Sequence, residues 1–164
     1  MTVIHATTIS ATDNSLRTHR RSTTIAWIAL SLGAASLVVS GVDHIYQYYA
    51  NDYRTVPTIG RLFVLNFVSA VVVAAGLIAP IGRVAGRYAD AIRAVLALAG
   101  IGIAVLSLAA LFVSESSSLF GFEENGYRRA IDVAIASEVA AALFLSIYLV
   151  ASWAGLRTTR RTPQ

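Results

Sequence analysis

Long uncharged intervals alternate with short charged segments along this chain of 164 residues. Three intervals, 22–42, 62–82 and 94–114, each contain 21 uncharged residues, and a fourth, 133–156, is interrupted only by Glu138. Because a helix rises about 1.5 Å per residue, each interval is about 30 Å long as a helix, which matches the hydrocarbon core of a bilayer. The pattern therefore predicts an all-α protein with four transmembrane helices.

The four helices are predicted to form an antiparallel four-helix transmembrane bundle within a membrane domain of residues 24–156. We expect the individual helices at 24–46, 59–81, 91–113 and 130–156. Residues 1–23 are polar and lack hydrophobic periodicity, so they are predicted to be a disordered tail. Residues 157–164 form a short basic tail.

The arginines are distributed unequally between the two ends of the predicted helices. All 13 basic residues are Arg; nine lie in the two tails and near 83–93, and four lie in the other two loops. Positively charged residues are enriched on the cytoplasmic side of membrane proteins. Both the N-terminus and the C-terminus are therefore predicted to be cytoplasmic.

The composition narrows the possible functions. Only 13% of the residues are charged, about half the usual share for soluble domains. There is no Cys, which excludes disulfides and thiolate-held metals. The arginines flank apolar spans instead of forming one basic patch, so nucleic acid is not an expected partner. No phosphate-binding loop, nucleophile elbow or kinase signature is present, and we do not expect an enzyme.

The most polar and aromatic stretch between two spans runs from residue 43 to residue 66. Its side chains offer acids, cations, hydrogen-bond donors and aromatic rings at the predicted extracytoplasmic mouth of the bundle. The candidate ligand-binding or partner-binding residues in this stretch are Asp43, His44, Tyr53, Arg54, Arg61 and Asn66. Glu124 and Arg128 extend this set from the second outer loop.

Glu138 completes the candidate set and is the one charged residue that interrupts the interval 133–156. A carboxylate near the middle of a membrane helix costs about 2.5–3.5 kcal/mol, so Glu138 should face the bundle. Counting residues from the outer boundary places Glu138 and Asn66 at similar depth, where Arg61, Arg128 and His44 are candidate partners of the carboxylate. Two interpretations remain open: a ligand, proton or ion site, and a buried hydrogen-bonded clamp between helices.

A metal site is the weaker interpretation of the same residues. His44 with Asp43, Glu138 or Glu124 offers nitrogen and oxygen ligands for a divalent ion. However, the sequence has no His-x-x-x-His or Glu-x-x-His spacing, and a single intramembrane His gives little support for haem. We therefore expect no metal and no other cofactor.

Two motifs resemble a family of small four-helix integral membrane proteins of actinobacteria. The first reads Tyr53-Arg54-x-x-Pro57-Thr58-Ile59-Gly60-x-Leu62-Phe63-x-x-Asn66, with His44 upstream. The second reads Phe120-Gly121-Phe122-x-Glu124-x-Gly126, followed by Glu138. The resemblance covers most of residues 24–156 and implies a multi-pass protein of the bacterial plasma membrane.

Two functions remain open at this point. In the first, the protein is a small accessory or interaction subunit whose outer loops contact a larger membrane-protein complex or a second copy of the chain. In the second, it is an outward-facing binder or transporter component for an ion or small molecule, using Glu138, Asn66, Asp43 and His44. We expect the first, because four short helices barely enclose a transport pathway. The lipid bilayer is a partner in both cases.

Overall fold

The computed structural model of the chain describes residues 3–116 and 129–159, with side chains at 22–56, 58–114 and 131–155. The described part is helical, and four of its helices are long and apolar enough to span a membrane. In chain order the elements are α1 (Val3–Ala50), a 3-10 turn (Tyr53–Thr55), α2 (Pro57–Ile78), α3 (Gly82–Ala85), a second 3-10 turn (Gly86–Tyr88), α4 (Ala89–Ser116) and α5 (Arg129–Thr159).

Helix α1 begins at Val3, within the segment 1–23 that the sequence predicts to be disordered. The chain contains neither Gly nor Pro before Gly33, so no residue in this segment interrupts a helix propagating from the apolar span. The helix ends at Ala50, because Asp52 adopts a left-handed conformation (φ 56°, ψ 22°) that stops helical propagation. The backbone from Val3 to residue 23 is therefore helical instead of disordered.

Two prolines set the limits of α2. Pro57 occupies the first turn, where its missing N–H costs nothing, and Val56 before it is extended (φ −98°, ψ 100°). Pro80 likewise keeps the residue before it extended (φ −59°, ψ 149°), so the helix ends at Ile78. The predicted span 59–81 therefore runs past the end of the helix.

Helices α4 and α5 contain the predicted spans 91–113 and 130–156 and extend at most three residues beyond them at either end. Each helix has an acidic residue in its first turn, Asp90 in α4 and Asp132 in α5. A negative charge there stabilises the helix by interacting with the positive end of the helix dipole.

The four long helices pack as a ring. Helix α1 packs against α2 and α5, and α4 packs against the same two helices, while α1 and α4 hardly touch. The interior is rich in alanine, with Ala70, Ala97, Ala104 and Ala141 buried. Such small side chains let helix backbones approach closely. The outward faces expose many large Val, Leu and Ile side chains, an apolar surface suited to lipid.

Leu145 is the centre of this interior. Its side chain is fully buried and fills the space left by two glycines on other helices. A Cβ atom on Gly33 of α1 would lie 2.6 Å from Leu145 Cδ2, and a Cβ on Gly100 of α4 would lie 2.7 Å from Leu145 Cδ1. The layer around Leu145 separates two cavities, one toward each end of the ring.

Candidate functional site

One cavity, of about 310 Å³, lies between α1, α2, α4 and α5 at the end of the ring that includes the turn Tyr53–Thr55. We call it the Glu138 cavity. Its walls are mainly apolar, and a few polar side chains point into it from different helices. These include His44 and Gln47 from α1, Asn66 from α2, Ser107 from α4 and Glu138 from α5. An apolar cavity with a few convergent polar groups is the usual form of a small-molecule site.

A chain of hydrogen bonds crosses the cavity from α2 to α1. The Asn66 side chain donates from Nδ2 to Ser107 Oγ over 3.2 Å, and Ser107 Oγ lies 3.1 Å from His44 Nε2. His44 Nδ1 lies 2.9 Å from the main-chain carbonyl oxygen of Ser40, which can only accept, so Nδ1 carries a proton. The other ring nitrogen, Nε2, either accepts a hydrogen bond from Ser107 Oγ as part of a neutral imidazole or donates one to it as part of an imidazolium.

Glu138 is almost completely buried, with 1% of its surface exposed. Its Oε1 accepts a hydrogen bond of 3.3 Å from Ser40 Oγ and lies 3.7 Å from His44 Nε2. Its Oε2 has no hydrogen-bond partner among the described residues, and neither does Asn66 Oδ1. Both of these buried atoms belong to residues lining the cavity; the Asn66 oxygen is an acceptor, and Oε2 is an acceptor when Glu138 is ionised. The cavity therefore offers unused acceptors to whatever enters it.

Aromatic rings hold one wall of the cavity in place. The Phe63 ring lies between His44 and Tyr53, with ring centroids 4.9 Å from His44 and 4.8 Å from Tyr53. Tyr53, the first residue of the turn that follows α1, is itself buried. Aromatic pairs at these separations are favourable beyond the area they bury, so the imidazole of His44 has a fixed orientation.

The structure places the other predicted site residues away from the cavity. Asp43 is buried and accepts a 2.6 Å hydrogen bond from Gln47 Nε2, but it does not line the cavity. Arg54 is at the surface, 3.3 Å from the equally exposed Asp52, and Arg61 is exposed on α2. The remaining two candidates, Glu124 and Arg128, lie outside the described residues.

Of the three candidate partners of Glu138, the structure brings His44 to it. Arg61 remains exposed, and Arg128 has no described position. Within the described ranges, no three His, Asp or Glu side chains gather in an arrangement that could hold a metal ion. The charged and neutral groups that do converge form an acceptor-rich pocket.

Ser107 is a residue of the polar network that sequence reasoning missed. It joins Asn66 to His44 and is the contribution of α4 to the polar network. A lone serine in an apolar span is ordinary, since its hydroxyl can bond the carbonyl four residues earlier. The available signal was that Ser107 and Ser114 are the only polar side chains in the interval 94–114.

The cavity reaches the outer surface of the ring between α2 and α4. Leu62 and Leu65 from α2 and Leu106 from α4 line it and are also exposed, Leu106 to 73%. Farther along, the same two helices meet closely, since a Cβ on Gly76 would lie 3.0 Å from Leu96 Cδ1. The cavity therefore opens between α2 and α4, where leucine side chains line it, and it is closed where Gly76 meets Leu96.

Comparisons of the chain with protein-family models, with curated proteins and with solved structures found no match. The all-helical fold with four helices able to span a membrane is supported by the structure itself. A function must therefore be argued from the geometry and charge of the cavities.

Proposed function

We propose that the protein is a multi-pass protein of the bacterial plasma membrane, with antiparallel helices and both termini in the cytoplasm. Contacts between α1 and α5 support the antiparallel arrangement: Ser22 bonds Ala151, Gly33 meets Leu145, and Ser40 bonds Glu138. The unequal distribution of arginines supports the sidedness. The Glu138 cavity then lies on the extracytoplasmic side.

In this protein the Glu138 cavity binds a small organic cation that has an apolar body, such as a short-chain alkylammonium ion. The observation that carries the proposal is the buried carboxylate of Glu138, whose Oε2 has no partner among the described residues. A buried polar atom without a partner costs about 1–3 kcal/mol, and a charged one costs more. A ligand that donates hydrogen bonds to Oε2 removes this cost.

The charge of the ligand follows from the acceptors left in the cavity. His44 Nε2 lies 3.7 Å from Glu138 Oε1, and among the described residues Oε2 is left without a partner. An ammonium group has donors and no acceptor, which complements the acceptors Glu138 Oε2 and Asn66 Oδ1. Hydrogen bonds between charged partners are roughly twice as strong as neutral ones.

The apolar body of the ligand follows from the walls. Leu62, Leu65 and Leu106 form the exposed side of the cavity, which would face acyl chains. An amphipathic amine dissolved in the bilayer reaches the carboxylate between these leucines. The volume of about 310 Å³ is at the small end of the range for ligand sites, so the cavity suits a short chain.

The test measures the melting temperature of the purified protein in detergent with hexylammonium, hexanol or hexanoate. Hexylammonium should raise the melting temperature, because ligand binding stabilises the folded state. Hexanol and hexanoate should have no such effect. Shortening hexylammonium to butylammonium should weaken binding roughly tenfold, since each buried methylene contributes about 0.8 kcal/mol.

Glu138→Gln keeps the size of the side chain and removes its charge, so it should weaken hexylammonium binding about 30-fold or more. Asp132→Asn is the matched control, because Asp132 is an exposed acid on the same helix. Equal stabilisation of wild type and Glu138→Gln would disprove the proposal. Native mass spectrometry that finds a larger membrane protein, and no amine, bound to the extracted chain would favour an accessory subunit instead.

A further inference from the structure

A second cavity lies at the opposite end of the ring, between α1, α4 and α5. Its volume is about 740 Å³. We call it the Arg93 cavity. Its polar and aromatic lining includes Ser22 and Trp27 from α1, Asp90 and Arg93 from α4, and Tyr148 from α5. The layer around Leu145 separates it from the Glu138 cavity.

Arg93 is a mostly buried cation in this cavity, with 13% of its side chain exposed. Its Cζ lies 5.1 Å from the centroid of the Trp27 ring, a cation–π contact that orients the guanidinium. Its Nε is buried and has no hydrogen-bond partner among the described residues. The unused polar atom in this cavity is therefore a donor, the opposite of the situation in the Glu138 cavity.

The acidic neighbour of Arg93 holds it weakly. Asp90 Oδ1 lies 3.9 Å from Arg93 Nη1, and the Asp90 side chain is 80% exposed. A pair at this distance with its carboxylate in solvent contributes little to stability. A stronger anion can therefore replace Asp90 as the partner of the guanidinium.

We propose that the Arg93 cavity binds the phosphate group of a phospholipid, with the guanidinium of Arg93 donating hydrogen bonds to the phosphate oxygens. The planar guanidinium offers parallel N–H donors that match two oxygens of a phosphate, and it loses less hydration than an ammonium group. Trp27 keeps the guanidinium in place, and Tyr148 forms part of the opposite wall.

The position of the cavity favours a lipid over a free phosphate. Ser22 follows Arg21 at the start of one membrane-length uncharged interval, Gly155 lies two residues before Arg157 at the end of another, and both line the cavity. The phosphates of a bilayer lie at this level, where tryptophan is enriched. Val150 and Trp153 line the cavity and are exposed on the outside of the ring, so an acyl chain can lie against them.

An anionic lipid is the expected occupant. A headgroup with its own ammonium, as in phosphatidylcholine, brings a second positive charge toward Arg93, whereas phosphatidylglycerol does not. This inference does not depend on the ligand of the Glu138 cavity, because the two cavities share no lining residue.

The experiment is native mass spectrometry of the purified full chain in mixed micelles that contain phosphatidylglycerol or phosphatidylcholine with the same acyl chains. Wild type should retain one phosphatidylglycerol in preference to phosphatidylcholine. Arg93→Gln should retain about tenfold less phosphatidylglycerol, since a charged hydrogen bond is lost. Arg83→Gln is the control: it removes the same charge from an exposed position in α3. It should retain as much lipid as wild type.

Asp90→Asn provides a test that does not depend on the folding of an Arg93 variant. Asp90 is exposed, and removing its charge frees Arg93, so lipid retention should rise a few-fold. Equal retention by wild type, Arg93→Gln and Asp90→Asn would overturn the proposal. Displacement of the lipid by millimolar glycerol 3-phosphate would show a site for free phosphate esters and would overturn the lipid assignment.

Discussion

The two cavities of this ring have opposite chemistry. Among the described residues, the buried atoms without a partner are Glu138 Oε2 and Asn66 Oδ1 in the Glu138 cavity, whereas in the Arg93 cavity the atom without a partner is the donor Arg93 Nε. Glu138 accepts a hydrogen bond from Ser40, whereas Arg93 lies against the face of Trp27 and 3.9 Å from the carboxylate of Asp90. Each cavity therefore complements a ligand of the opposite charge.

The two cavities should also respond differently to salt, because their charged groups are buried to different extents. Glu138 is 1% exposed, so solvent ions hardly screen it, while the Asp90 partner of Arg93 is largely in solvent. We expect added salt to weaken binding at the Arg93 cavity more than binding at the Glu138 cavity. Buried polar atoms without partners are informative because most buried polar groups in proteins have one.

The largest expected effect comes from breaking the layer between the cavities with Gly100→Val. The new side chain would occupy the space of Leu145 Cδ1 and of Leu37 Cδ1, which lie 2.7 Å and 2.9 Å from a Cβ at this position. Such overpacking should lower the free energy of unfolding by about 3 kcal/mol. Detergent-based thermal unfolding measures the change.

The control for this substitution is Gly102→Val, two residues further along α4. A Cβ on Gly102 has no atom within 4 Å, so this variant should unfold at about the temperature of wild type. Equal destabilisation by the two substitutions would show that helix propensity, and not the contact with Leu145, determines the result.

A smaller effect, confined to the Glu138 cavity, is expected for Ser107→Val. The variant removes the acceptor for Asn66 Nδ2 and the hydrogen-bond partner of His44 Nε2. Leaving such buried groups without partners should cost about 1–3 kcal/mol of stability. It should also weaken hexylammonium binding, while phosphatidylglycerol retention at the Arg93 cavity stays unchanged.

Ser146→Val is the matched control for Ser107→Val. Ser146 is exposed and donates to the carbonyl oxygen of Ala142 within its own helix. Its loss should change the free energy of unfolding by less than about 0.5 kcal/mol. A Ser107→Val protein as stable as Ser146→Val would mean that the hydrogen-bond chain across the cavity contributes nothing.

The smallest stability effect is expected for Glu138→Met. The substitution removes a buried carboxylate, one of whose oxygens has no partner among the described residues, and fills its space with an apolar chain. Relief of the unpartnered oxygen offsets the loss of the hydrogen bond from Ser40, so the free energy of unfolding should change by less than about 1 kcal/mol. Hexylammonium binding should nevertheless be lost. A large loss of stability without ligand would show that Glu138 is a structural clamp between helices.

Much of the fold follows from the pattern of charges and prolines. The four membrane-length helices and the start of α2 at Pro57 were predictable, because the bilayer fixes the length of a span and proline fixes a helix start. The end of α2 at Ile78 was missed, although Pro80 signals it, because a charge-free interval does not mark the end of a helix. The helical backbone before Ser22 was missed because composition alone favoured a tail.

The candidate site was only partly predictable. Counting residues along two helices that start from the same side correctly places Asn66 and Glu138 around one cavity. Which of Arg61, Arg128 and His44 contacts Glu138 depends on how each helix is rotated about its own axis. The polar pattern of a single helix does not define this rotation. Ser107 could not be found in this way, because its role depends on which helix lies beside α2.

Leu145 lies where three helices meet, so the residues that can be accepted at positions on the other two helices depend on it. Since one leucine fills the space beside both Gly33 and Gly100, a smaller residue at position 145 would remove the closest contact at both glycines, although Leu37 Cδ1 would still lie 2.9 Å from a Cβ at position 100. The order of changes then matters: a Gly→Ala replacement at position 33 or 100 is less harmful after residue 145 has become smaller. Positions 33, 100 and 145 should therefore vary together among related chains, as one epistatic unit.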